Sequence, residues 1–69
     1  MKNCHSFGEN LKNLRQSKKI TQGELAKSLN TTLKTVSHWE TGYSEPSIEQ
    51  LVLLANFFDI SLDELVDRK

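Results

Sequence analysis

Helix caps punctuate this chain, and they constrain its fold more than any other feature. At four helix starts a Ser or Thr is followed three residues later by Glu or Gln: Ser6 with Glu9, Thr21 with Glu24, Ser47 with Gln50 and Ser61 with Glu64. In such a box the cap hydroxyl accepts from the backbone N–H three residues on. The Glu or Gln side chain there reaches back to the cap N–H, so two otherwise unpaired donors of a helix start are satisfied. Thr32 marks a fifth start as a simple cap. Apolar residues follow each start at helical spacing. The first helix carries Phe7, Leu11 and Leu14, the second Leu25 and Leu29 with Ala26, and the third Val36 and Trp39. The fourth carries Ile48, Leu51, Leu54, Ala55 and Phe58 as a core stripe, and the fifth Leu62, Leu65 and Val66. No segment sustains the period-two alternation of a strand. The expectation is an all-α fold, a compact bundle of five helices whose short connections force successive helices to pack as neighbours.

Sixty-nine residues make one domain, read as residues 6–69 behind a flexible N-terminal tail of residues 1–5. A chain this short buries only about 60% of its unfolded surface, so association with a second copy would help its stability. The single cysteine, Cys4, permits no intramolecular disulfide and fits a cytoplasmic protein. No apolar run approaches the roughly 20 residues of a membrane span, so no membrane partner is expected. The first residues lack the apolar run of a signal peptide.

A net charge of zero hides a polarised distribution. Residues 1–44 hold seven basic against three acidic side chains, a net of +4, and residues 45–69 hold two basic against six acidic, a net of −4. A dipolar domain can offer its positive end to phosphates.

Residues 21–42, TQGELAKSLNTTLKTVSHWETG, read as two short helices joined by a tight turn. Asn30 ends the first, since it tolerates the left-handed conformation, and Gly42 stops the second. With Gln22, Leu25-Ala26, Asn30, Val36, Trp39 and Glu40-Thr41-Gly42 in register, the chain resembles the helix-turn-helix regulators of the phage repressor and Cro (Xre) type. The match runs on through Pro46-Ser47-Ile48, Leu51, Leu54-Ala55 and Ile60 to Leu65, covering about residues 7–66. The resemblance implies a lambda-repressor-like bundle with the helix-turn-helix at helices two and three. It also implies binding to double-stranded DNA.

In the third helix Val36 and Trp39 point inward, so Leu33, Lys34, Ser37 and His38 lie toward the other side. An exposed face beginning at a helix N-terminus is what enters a major groove. The resemblance makes these four the base contacts. Lys34 can donate to guanine O6 and N7, and Leu33 can pack on a thymine methyl or tuck back against helix two. His38 can donate to a base or a phosphate. Phosphate contacts are expected at helix starts, where free N–H groups favour anions, and beyond the third helix. They are Thr21, Gln22, Thr32, Thr35, Thr41 and Tyr43. By resemblance Gln22 also braces the recognition helix, and Arg15 with Glu40 forms a charge pair tying helix one to the end of helix three.

The chain departs from the family pattern in three places. Tyr43, Ser44 and Glu45 stand where Lys or Arg often reaches the DNA backbone, and Glu45 would repel a phosphate. Asp59 stands where Gly commonly ends the fourth helix. Leu53 falls off the inward stripe of that helix, where a charged residue is common. With Phe57, Leu62 and Val66 it is expected to form a two-fold contact between copies, the alternative being a scattered exposed leucine.

No nucleophile–base–orienter set or Gly-rich phosphate loop is present, so no enzyme and no cofactor are expected. Cys4 and His5 sit in the tail and make no convincing metal site. The sequence therefore predicts a transcriptional regulator, a repressor acting as a homodimer on a two-fold symmetric operator. No separate ligand-sensing domain is expected in a chain this short. The alternative is a protein-interaction module on the same fold, an antitoxin or the target of a regulatory protein partner.

Overall fold

The computed structural model describes residues 7–66; the Ser6 cap, the tail of residues 1–5, the Cys4–His5 pair and residues 67–69 lie outside them. Five helices follow in order: α1 (Phe7–Ser17), α2 (Gln22–Ser28), α3 (Leu33–Thr41), α4 (Ile48–Phe58) and α5 (Leu62–Val66). No strand occurs among the described residues. The starts lie where the caps demand. Thr21 Oγ1 accepts from the Glu24 N–H at 3.0 Å while Glu24 Oε1 accepts from the Thr21 N–H at 2.8 Å. Ser47 with Gln50 and Ser61 with Glu64 close the same reciprocal pair. Thr32 accepts from the Thr35 N–H without a returning side chain.

The helix ends share one device. After each of α1 to α4 a residue turns left-handed: Lys19 (φ 59), Asn30 (φ 58), Gly42 (φ 85) and Asp59 (φ 58). Its own N–H bonds back to the carbonyl three residues earlier, and the next N–H reaches five residues back. The longer bonds are Ile20 to Arg15, Thr31 to Ala26, Tyr43 to His38 and Ile60 to Ala55. Asn30 and Gly42 do what the sequence predicts, and Asp59 adopts the left-handed turn despite its side chain. Lys19 has no feature that announces it. A left-handed non-glycine residue costs about 1–2 kcal/mol, Asn and Asp less.

The core is Leu11, Leu25, Ala26, Val36, Trp39, Leu54, Ala55, Phe58 and Leu65, all buried. Full burial of such large apolar side chains contributes roughly 1.5–3 kcal/mol each. Phe7, Leu14, Ile20, Leu29, Leu51, Phe57 and Ile60 pack around it. One expectation fails. Ile48, read as part of the α4 core stripe, is 77% exposed. It is the first residue of α4; at 3.6 residues per turn it lies on the side of Ala55, buried two turns on, but the first turn has nothing over that side. Leu62 is likewise exposed, while Leu65 alone of its helix is fully buried.

Two contacts set helix positions that spacing does not reveal. Gly8 of α1 is buried against α3, and a Cβ there would collide with the backbone carbonyl oxygens of Trp39 and Glu40. Asn10 donates its side-chain N–H groups to the carbonyls of Glu64 and Leu65, capping the end of α5 from α1. Thus α3 packs on α1 and α2, and α5 on α1 and α4.

Candidate nucleic-acid interface

The orientation of α3 is set by one carboxylate. Glu40, at the end of α3, has a side chain only 3% exposed. Arg15 donates to it through Nε (2.6 Å to Oε2) and Nη2 (3.1 Å to Oε1), the two-pronged geometry that makes such pairs strong. The third guanidinium nitrogen, Nη1, donates to the Ile20 carbonyl at 2.8 Å. Gln22 Nε2 donates to Glu40 Oε1 at 3.0 Å. The Glu40 carboxylate thereby gathers α1, the start of α2 and the end of α3, and Arg15 ties in the α1–α2 turn. The hydrogen bond to Glu40 raises the Arg15 guanidinium pKa above its ordinary value, with burial opposing and Coulomb attraction adding to it. The expected charge pair is present, and Gln22 hydrogen-bonds the same carboxylate. The bond to Ile20 was not legible, because it depends on the left-handed turn at Lys19.

With Val36 and Trp39 buried and Glu40 clamped, the opposite side of α3 is presented outward. Leu33 and Lys34 are exposed; Ser37 and His38 are half-buried. Leu33 is exposed yet lies beside α2. It is 55% exposed, and its Cδ1 lies 3.5 Å from where a Cβ on Gly23 of α2 would stand. A side chain of that size at position 23 would still be in ordinary contact.

Of the six expected phosphate contacts Gln22 bonds Glu40, and the other five lie at the start of α2 and at the two ends of α3. Thr21 and Thr32 spend a lone pair on capping. Thr32 and Thr35 also share a hydroxyl hydrogen bond of 2.9 Å at the start of α3. The Thr41 hydroxyl turns back to the His38 carbonyl at 3.3 Å. Tyr43 is 79% exposed, and its ring lies against His38 with centroids 4.5 Å apart. Sequence reading missed that ring contact, although the left-handed Gly42 announces it.

At the far side, α4 and α5 expose Ile48, Val52, Leu53 and Leu62. Of the four residues expected in a two-fold contact, Leu53 is 49% and Leu62 44% exposed. Phe57 is half-buried with its ring edge-on to Phe58 at 5.0 Å, and Val66 is half-buried. Residues 45–66 carry five acidic side chains and no Lys or Arg. Among the described residues no cluster of metal-ligating side chains occurs, and no helix is long and apolar enough to cross a membrane.

Residues 11–65 match the helix-turn-helix family. The chain belongs to that family, to its phage repressor and Cro type. The helix-turn-helix-type transcriptional activator BcrR of Enterococcus faecalis is 38% identical over 87% of the chain and 29% of its own length. A transcriptional regulator from Listeria innocua superposes with a TM-score of 0.89 at 36% identity, over 97% of this chain and 63% of that one. The P22 c2 repressor in complex with a synthetic operator superposes with a TM-score of 0.88 at 29% identity, over 96% of this chain and all of the other. The chain spans between 29% and 56% of the length of the curated relatives it matches.

Proposed function

We propose that this helix-turn-helix chain is a sequence-specific DNA-binding transcriptional regulator, a repressor that binds a two-fold symmetric operator as a homodimer. One observation carries the reading: the Arg15–Glu40–Gln22 clamp holds α3 so that Leu33, Lys34, Ser37 and His38 face outward from its N-terminal end. These four read base edges in the major groove, and Thr21, Gln22, Thr32, Thr35, Thr41 and Tyr43 meet the phosphates. Gln22 can do so while holding Glu40, because its amide carries a second N–H. Leu53, Leu62, Phe57 and Val66 supply the contact between copies, placing the two α3 helices in successive grooves ~34 Å apart. Both an activator and a repressor stand among the similar proteins. Repression is the simpler output, since a bound domain blocks a promoter it overlaps without any further contact.

Selection from a randomised duplex library at low and moderate salt tests this. A palindromic motif with half-sites near one helical turn apart is expected. Replacing Lys34 and His38 by alanine together should abolish the motif while leaving the fold intact. Full discrimination by that folded variant would remove α3 as the reading element. A second reading, a protein-interaction module, is favoured by exposed Ile48, Val52 and Leu53 beside an acidic half. Stoichiometric co-purification of a partner, with no DNA retained at low salt, would establish it instead.

A further inference from the structure

The four helix ends with a left-handed residue differ in where the following side chain goes. After Lys19 and after Asp59 that residue is an isoleucine, Ile20 or Ile60, and both pack against the core. After Gly42 it is Tyr43, which stays 79% exposed and instead lays its ring on His38. The backbone closure is the same at each end, so it fixes the partner of the following residue and not its exposure. The Gly42 N–H bonds to the Trp39 carbonyl at 3.3 Å and the Tyr43 N–H to the His38 carbonyl at 2.9 Å, with Ser44 adding a third N–H at 3.3 Å. This closure brings the residue after the left-handed position over the one five residues earlier. The pair is therefore His38 with Tyr43, tilted by 48° within the distance range of favourable ring contacts.

Resting on the DNA-reading role of α3, we propose that Tyr43 is a positioning residue that sets which base His38 reads. An exposed histidine alone samples several rotamers and meets different base edges. Packed on Tyr43, the imidazole is held in one orientation before DNA arrives, so less freedom is lost on binding and the geometry of its hydrogen bond is selected. The ring performs this task, whereas a phosphate contact would use the hydroxyl. The two roles separate cleanly by substitution.

The test compares Tyr43→Phe, Tyr43→Ala, His38→Ala and the Tyr43→Ala/His38→Ala double variant on the motif selected by the wild-type chain, each base pair varied in turn. Tyr43→Phe should keep the wild-type preference at every position. Tyr43→Ala should lose about tenfold of discrimination at one base pair per half-site, the same one that His38→Ala relaxes. The double variant should discriminate there no worse than His38→Ala alone, since the two act as a unit. A uniform loss across all sequences with Tyr43→Ala, or losses that add fully in the double variant, would overturn the positioning role while leaving DNA reading by α3 in place. A wild-type chain that selects no motif would overturn both. The exposure of Tyr43 and the backbone origin of the turn make loss of fold by these variants unexpected, and thermal melting checks it.

Discussion

The α1–α3 half and the α4–α5 half share one apolar core and differ in what is added to it. In the first, helices are tied by a nearly buried carboxylate that three elements share, and the outward face is polar apart from Leu33. In the second, the cohesion is apolar, through Leu54, Phe58 and Leu65, and apolar side chains spill onto the surface at Ile48, Val52, Leu53 and Leu62. A charged clamp has one satisfactory geometry and fixes a helix rigidly. An apolar face tolerates sliding and accepts further apolar surface. The first design suits presenting α3 in one pose, and the second suits association.

The largest expected effect breaks the clamp. Glu40→Ala leaves the Arg15 guanidinium, whose side chain is 12% exposed, without its partner, and should lower unfolding free energy by about 3–5 kcal/mol in urea titrations. An unchanged midpoint would mean that the polar half does not depend on its carboxylate. Next is the approach of α1 to α3. Gly8→Ala places a methyl against the backbone oxygens of Trp39 and Glu40, which cannot swing aside, and should cost about 1–3 kcal/mol. A neutral result would show that α1 can shift without disturbing the clamp. The smallest effect on stability is expected in the other half. Leu53→Ser and Leu62→Ser should each change monomer stability by no more than about 0.5 kcal/mol. Light scattering should nevertheless show the parent as a dimer and the doubly substituted chain as a monomer at the same concentration. Equal association by both chains would place the two-fold contact elsewhere, and cooperative unfolding by either serine would make these leucines part of the core.

Much of the candidate site is legible in the sequence because it is built from short-range rules. Thr21, Thr32, Ser47 and Ser61 mark helix starts through hydrogen bonds that span three residues. Asn30 and Gly42 mark ends through the backbone conformation of one residue. The spacing of Val36 and Trp39 decides which side of α3 faces out, and hence that Leu33, Lys34, Ser37 and His38 share the presented side. The Arg15–Glu40 pair is different. It joins positions 25 residues apart, and only resemblance to a family suggested it.

The sequence by itself determined where helices begin, where most of them end and which stripe of each turns inward, because those choices rest on interactions within about two turns of chain. Tertiary structure alone decided how closely helices approach and what covers each stripe. Nothing local tells Gly8 apart from a poor helix former, nor assigns Asn10 to the carbonyls of α5. Ile48 obeys the apolar spacing yet lies exposed, because burial requires a facing element and the first turn of α4 has none over that side. Lys19 adopts a conformation that its side chain disfavours because Ile20 packs beyond it in the core and the Ile20 carbonyl is held by Arg15. Local preferences choose among conformations separated by about 1 kcal/mol. Burial and paired charges are worth several times that, so where the two disagree the packing wins.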